Sequence, residues 1–261
     1  MEKLRAIDSL RHWRRRQVRR TVGFVPTMGA LHAGHLKLLD RAHEECDVVL
    51  ASLFVNPAQF NDPDDCASYP TPLEDDLALC EDHKVGAVFL PEEKTMYPEG
   101  YRFRVVENDD SRRLEGEYRP GHFDGVLTVV MKLLQLARAD RAYFGEKDWQ
   151  QLRLVTGMAT AFFLPTEIVP VPTVREEDGL ALSSRNRRLS AEGRQKAPEF
   201  PRILREAESA EAARAGLAAA GFTVEYVEDR EGRRLGAVVL EGVRLIDNLP
   251  LAETAATEEA S

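Results

Sequence analysis

Apolar residues in this chain come in short continuous runs separated by amphipathic stretches, and that rhythm predicts its elements. Val22 to Met28 (VGFVPTM) reads as a buried strand, with Pro26 suited to a strand terminus. Gly29 breaks it. From Gly34 to Cys46, Leu36, Leu39 and His43 recur on one helical stripe. Asp47 to Val55 (DVVLASLFV) is apolar almost throughout, as a strand covered on both faces should be. Asn56 to Pro70 reads as a loop. Thr71, with Glu74 three residues on, predicts a capping box for a helix ending near Lys84. Gly86 to Pro91 gives a third strand. The same alternation returns with a helix at Phe123 to Ala137, a strand at Arg141 to Phe144, a helix at Asp148 to Phe162 and a strand at Glu167 to Pro172. Strands and helices in strict alternation predict an α/β fold with a doubly wound parallel sheet.

The pattern changes after Leu189. Ser190 to Ala220 is rich in Ala, Glu and Arg and predicts helix broken at Pro198 and Pro201. Phe222 to Glu228 alternates like a half-exposed strand. Ala237 to Ile246 predicts a second strand, with Gly242 at a bulge or turn. Glu253 to Ser261 is small, acidic and expected to fray. This divides the chain into a catalytic-sized domain over residues 1–187 and a smaller α+β domain over 188–261.

Composition narrows the class. The 261 residues are 43% hydrophobic and 30% charged, ordinary for a globular protein. No apolar run approaches the ~20 residues of a membrane span, and no signal-peptide pattern opens the chain. Cys46, Cys66 and Cys80 form no CxxC pair, so neither a disulfide framework nor a zinc site is indicated. A cytoplasmic location is the expectation. The net charge of -9 argues against nonspecific nucleic-acid binding. Residues 1–20 nonetheless hold eight basic and two acidic residues, read here as the solvated face of a short helix.

Four segments carry candidate chemistry, and each follows an apolar strand. In Thr27 to His35 (TMGALHAGH), glycines would let backbone approach a ligand, and a helix N-terminus would offer unpaired N–H groups to phosphate. His35, in the helix's first turn, favours a neutral imidazole able to donate to a phosphate oxygen. Phe54 to Phe60 offers Asn56 and Gln59 beside apolar walls, suited to a small ligand bearing hydroxyl and carboxylate groups. Phe144 to Gln151 supplies Lys147 as a point charge, Asp148 as an N-cap or Mg²⁺-side acid, and Gln151. Asp178 to Asn186 supplies Ser183, Ser184 and Arg185, able to clamp a polyphosphate. Neither a Walker A sequence nor GxGxxG is present. One sheet edge carrying all four would make a nucleoside-triphosphate site beside a small-ligand pocket.

PTMGALHAGH (Pro26 to His35) resembles the HIGH-type motif of the nucleotidyltransferase superfamily. SLFVNPAQF (Ser52 to Phe60), LEGEYRPGHFDGV (Leu114 to Val126), YFGEKDWQQL (Tyr143 to Leu152) and VPTVREEDGLALSSRN (Val171 to Asn186) complete a set similar to the pantoate–β-alanine ligase family. The resemblance implies a Rossmann-like fold and ATP-dependent condensation of pantoate with β-alanine through a pantoyl adenylate, with Mg²⁺. It implies ATP binding by Met28, Gly29, Ala30, Leu31, His32, Ala33, Gly34 and His35, by Gly145, Glu146, Lys147 and Asp148, and by Val174, Leu182, Ser183, Ser184 and Arg185. His32, His35, Lys147 and Arg185 would carry the chemistry, with His35 as proton donor. Gln59 and Gln151 would hold pantoate, with Gln59 also near β-alanine. Asn56, Tyr69 and Arg119 match further pocket positions, and Asp75 and Asp76 match acids near the metal. A homodimer formed through the larger domain is also implied, with no nucleic-acid or membrane partner. The second domain looks shorter than the family pattern, with Pro201 interrupting an expected helix.

Overall fold

The computed structural model describes residues 1–251, and Cα packing divides the chain into one unit from Met1 to Val174 and a second from Arg175 onward. The first unit holds six parallel strands: β1 (Glu2–Leu4), β2 (Val22–Thr27), β3 (Val48–Leu53), β4 (Ala87–Phe89), β5 (Arg141–Gly145) and β6 (Glu167–Val171). Their spatial order is β1-β4-β3-β2-β5-β6. From β2 the chain steps outward through β3 to β4, then crosses to the other side of β2 for β5 and β6. The crevice at such a reversal, outside the carboxyl ends of the strands, is where open α/β sheets bind ligands.

Both faces of the sheet are buried, which explains the unbroken apolar strands. Phe24, Leu50 and Phe89 pack with Phe123 and Leu127 of the helix His122–Ala137 on one face. Val25, Val49 and Val88 pack with Leu38 and Leu39 of the helix Ala33–Glu45 on the other. Gly125 lets the first of these helices approach closely, since a Cβ there would lie 2.2 Å from the Ala58 carbonyl oxygen.

Three details depart from the sequence expectation. β1 is a three-residue edge strand pairing Glu2 with Ala87, too short to show a period. The capping box at Thr71 does not form. The N-cap of the helix Leu73–Asp82 is Pro72, and the Leu73 N–H turns back to the Thr71 carbonyl at 2.8 Å. The loop after Asn56 contains a 3₁₀ turn (Pro57–Gln59) and a short helix (Pro63–Ala67). The Arg-rich start is indeed a helix, Ile7–Arg16, burying Leu10 and Trp13 while Arg11, Arg15 and Arg16 face outward.

The second unit packs the helices Ala191–Lys196, Glu199–Glu206 and Ala210–Ala219 against three antiparallel strands. These strands are β7 (Thr223–Arg230), β8 (Arg233–Leu240) and β9 (Val243–Pro250). Phe200, Leu204, Leu217 and Val238 form its core. The single strand expected over Ala237–Ile246 is the facing ends of β8 and β9. Glu241 (φ 52) and Gly242 (φ 75) make a two-residue turn between them, with the paired positive φ values of a tight hairpin. Pro201 does not break helix, because it sits in the first turn of Glu199–Glu206, where no backbone donor is required.

Residues 175–187 pack with the second unit, earlier than the division expected at 187/188. The Arg175 guanidinium grips the buried Asp247 carboxylate at 2.6 and 2.9 Å and also donates to the Gly179 and Asn248 carbonyls. Arg194 holds Glu176 and Asp178 at 2.6 and 2.7 Å. The acidic tail, 253–261, lies outside the described residues.

Candidate active site

The chain leaves β2 at Thr27 and turns through Gly29 (φ 88) and Ala30 (φ 51) into the helix Ala33–Glu45. Nearly every donor on this turn is spent internally. The Gly29 N–H meets Thr27 Oγ1 at 3.1 Å, and those of Ala30 and Leu31 meet the two carboxylate oxygens of Asp76 at 2.8 and 2.7 Å. His32 is itself the N-cap: its Nδ1 accepts from the Gly34 N–H at 3.1 Å, while the His32 N–H donates to His35 Nδ1 at 3.3 Å. The free helix N-terminus expected from the sequence is therefore already capped by two imidazoles whose rings lie 4.2 Å apart. What is left for an anion is the imidazoles' other nitrogens. With Nδ1 accepting, each neutral ring carries its proton on Nε2.

His35 is neutral for three reasons. Enclosure by the apolar wall of Val25, Leu31, Leu39 and Leu53 comes first, then competition for a proton with the adjoining His32 ring and the charge of Lys147; together they push its pKa down to about 3. The ring keeps a partly exposed edge even so. The influence of Lys147 also shows that the exits of β2 and β5, adjacent in the sheet, bring their cation and imidazole together, as the alternation predicts.

The exit of β3 sorts its two amides into different roles. Asn56 is 1% exposed and fully engaged. Its Nδ2 donates to Gln59 Oε1 at 3.0 Å and to the Gly125 carbonyl at 3.2 Å, and its Oδ1 accepts from the Tyr97 hydroxyl at 2.7 Å. These bonds leave Asn56 orienting Gln59. Gln59 then reaches Met28, its Nε2 lying 3.2 Å from Sδ. A second device holds Gln59 by its backbone: His122 Nδ1 donates to the Gln59 carbonyl at 2.8 Å, and Arg119 donates to His122 Nε2 at 3.0 Å. Burial and the Arg119 charge hold the His122 pKa down to about 4, consistent with that neutral tautomer. Arg119 also lies 3.7 Å from Glu115. Tyr69 stands edge-on to Phe60 at 5.9 Å. His122 and Tyr97 are site-building residues that sequence reasoning missed; a histidine beside a glycine in RPGHFDG was the available signal for the first.

At the exit of β5, Glu146–Asp148 forms a 3₁₀ turn leading into the helix Trp149–Ala161. Lys147 is mostly covered, with Asp148 3.8 Å away. Gln150 is a strut: its amide bonds the Asp110 and Arg113 carbonyls and the Glu115 N–H. The neighbouring Gln151 is partly exposed, and its amide makes no hydrogen bond among the described residues. Val174 closes the first unit after β6.

The remaining candidates belong to the second unit. Ser183 caps the 3₁₀ turn Ser184–Arg188 by accepting from the Arg185 N–H at 3.2 Å, and Leu182 and Ser184 are partly exposed beside it. Buried Asn186 pins the turn by donating to the Ala181 carbonyl at 3.0 Å.

Asp75 and Asp76 do not make a metal cage. Asp76 is 2% exposed with both oxygens turned onto backbone amides, and burial raises its pKa. Asp75 is exposed on the same helix. Among the described residues no group of three or more His, Cys, Asp or Glu side chains is placed to hold a metal ion.

Comparison with known proteins fits this geometry. Residues 2–250 match the family described as Pantoate-beta-alanine ligase. A pantothenate synthetase of Bdellovibrio bacteriovorus is 54% identical over 248 residues, covering 95% of this chain and 98% of that protein. One from Coxiella burnetii is 47% identical over 254 residues, again 95% and 98%. The crystal structure of a pantoate-beta-alanine ligase from Francisella tularensis, complexed with beta-gamma ATP and beta-alanine, superposes with a TM-score of 0.91 at 39% identity, covering 96% of this chain and 97% of that one. These proteins are matched nearly end to end, so the second unit is not short beside them.

Proposed function

This chain belongs to the pantoate–β-alanine ligase family, and we infer from that membership and the site's geometry which of its residues do the work. It is a ligase that condenses pantoate with β-alanine to give pantothenate, using ATP and forming a pantoyl adenylate on the way.

In the first half-reaction a pantoate carboxylate oxygen bonds to the α-phosphorus and the bond to pyrophosphate breaks. The nucleophile is already ionised at pH 7, so the step needs alignment and charge neutralisation more than a base. The neutral His35 donates Nε2–H to a phosphate oxygen, His32 does the same from its own ring, and Lys147 supplies the positive charge. Gln59 and Gln151 hold pantoate through its hydroxyl and carboxylate groups. Asn56, Tyr97, His122 and Arg119 fix Gln59 in place. Met28 to Gly34, Gly145 to Asp148 and Val174 form the nucleotide's bed, and the family pattern assigns Leu182, Ser183, Ser184 and Arg185 to ATP as well. In the second half-reaction the β-alanine amine bonds to the acyl carbon and AMP leaves.

Mg²⁺ would accompany ATP and neutralise charge on its phosphates, as this ion commonly does at nucleotide sites. The enzyme works in the cytoplasm. Three free cysteines support a reducing compartment, and no helix among the described residues is long and apolar enough to cross a membrane. Two copies pair through the first unit, which carries the exposed aromatics Phe103, Phe162 and Phe163.

The observation that carries the residue assignment is the self-capped imidazole pair beside Lys147 at the sheet's reversal point. Pantoate-dependent exchange of pyrophosphate into ATP, followed by AMP release only when β-alanine is added, tests it. Exchange without pantoate, or none at all, overturns the reading.

A further inference from the structure

Asp76 comes from the helix Leu73–Asp82, outside all four segments that the sequence marks for chemistry, yet it touches the most demanding of them. Its carboxylate takes two consecutive backbone N–H groups, Ala30 and Leu31, one on each oxygen. The turn they belong to has two left-handed residues in succession, Gly29 and Ala30. Glycine adopts that region freely, but alanine is strained there and stays only when its surroundings hold it. Asp76 supplies the hold. A Cβ on Gly29 would lie 2.8 Å from Asp76 Oδ2, so loop and carboxylate are packed against each other as well as bonded. The next donors along the chain, His32 N–H and Gly34 N–H, go to the two imidazoles. Asp76 is thus the first link of a continuous bonded series that ends on the His35 ring.

We propose that Asp76 is a positioning residue for the phosphate chemistry, setting the backbone that holds His32 and His35, and is not a ligand to the metal. The proposal rests on the ligase reading above. Its oxygens are spent on amides, and Asp75 beside it is exposed, so the two carboxylates do not converge on a common ion. Asp76→Asn keeps the size and one acceptor but turns an NH₂ group towards a backbone donor, breaking one of the two grips. Asp76→Glu keeps a carboxylate fit for a metal but moves its oxygens by a methylene.

The experiment is pantoate-dependent ATP–pyrophosphate exchange across an Mg²⁺ series, with calorimetric binding of ATP in the absence of Mg²⁺. For both variants the KM for ATP is expected to rise, and metal-free ATP binding to weaken, by at least about tenfold, since small misplacements of binding groups cost this much or more. The Mg²⁺ concentration for half-maximal exchange stays at the wild-type value. Glu74→Gln, on the exposed side of the same helical turn, behaves as wild type. The proposal is overturned if the Mg²⁺ midpoint rises in step with the defect and excess Mg²⁺ restores activity. Recovery by Asp76→Glu, or an unchanged KM in a folded Asp76→Asn protein, overturns it as well. If Asp76→Asn does not fold, Asp76→Glu decides. A wild-type protein with no pantoate-dependent exchange would sink the ligase reading instead, while metal-free ATP binding still reports on the clamp.

Discussion

Two loops that carry residues expected to bind phosphate, 28–35 in the first unit and 175–189 around the expected 178–186 segment in the second, hold their shape in different ways. Both must hold polar backbone in a fixed shape at a surface. The first does it with almost no net charge of its own, through two neutral imidazoles capping a helix and one buried carboxylate on consecutive amides. The second does it with ion pairs, Arg175 on Asp247 and Arg194 on Glu176 and Asp178. The contrast separates the charges a site uses from the charges that build it. Arg175 in the second loop is occupied by an acid of its own unit, Asp247. In the first loop the groups left for a ligand are proton donors without a full charge.

The largest effect that would sharpen this contrast is structural. Asp247→Ala leaves the Arg175 guanidinium without its buried partner and is expected to cost about 3 kcal/mol of stability, read by denaturant unfolding. A change under 1 kcal/mol would show that the strap is not what holds the second loop. Next comes catalysis: His35→Ala or Lys147→Ala lowers turnover roughly 10²-fold or more with little change in Tm. Near wild-type turnover in both would remove the first loop from the chemistry. Asn56→Ala, by stranding the Tyr97 hydroxyl and freeing Gln59, costs about 1–3 kcal/mol and raises the KM for pantoate. A KM unchanged in the folded variant would cancel its orienting role.

Acid acts on the buried imidazoles of the first unit. His35 and His122 are neutral in the folded chain down to about 3 and about 4, while an unfolded imidazole takes a proton near 6.5. The unfolded chain binds more protons in that window, so stability is full above about pH 6.5 and drains as pH falls towards 4 and then 3. A Tm flat from pH 7 to 4 would contradict this. The smallest effect is salt. Arg194 and its partners are about one-third exposed, so ~1 M NaCl should weaken that strap by under ~1 kcal/mol and leave the Asp76 clamp unaffected. Equal salt sensitivity of Asp76→Asn and wild-type ATP binding checks the second half.

How much of this could be read in the sequence follows from the range of each interaction. β2, β3, β4 and β5 are legible because burial on two faces writes itself locally as an unbroken apolar run. The exits after Thr27, Leu53 and Gly145 are legible because strands and helices alternate. Which exits are neighbours follows only from the crossover that leads from β4 to β5 and sets β5 beside β2. The roles inside the site are less legible, since they depend on partners far along the chain. Asp76 acts 46 residues from Ala30, and Asn56 is fixed by Gly125 and Tyr97. His32 was readable as a polar loop residue but not as a helix cap, because imidazole lies outside the usual capping set. The strand over Ala237–Ile246 read as one because Glu241 takes a left-handed conformation that a single glycine beside it did not announce.

The short edge strand β1 has a consequence for how the protein behaves in company. β4 is an apolar three-residue strand, and without β1 its outer backbone would be a bare template for another chain's strand. β1 occupies it with Glu2 and Lys3 exposed, and Arg16 of the following helix ties Glu2 at 2.5 Å. The N-terminal arginines, which the catalytic site never calls upon, thus sit where natural sheets place gatekeepers against sticking. Trimming the first five residues should cost little in chemistry and much in shelf life: turbidity on concentration, before any loss of turnover per folded molecule.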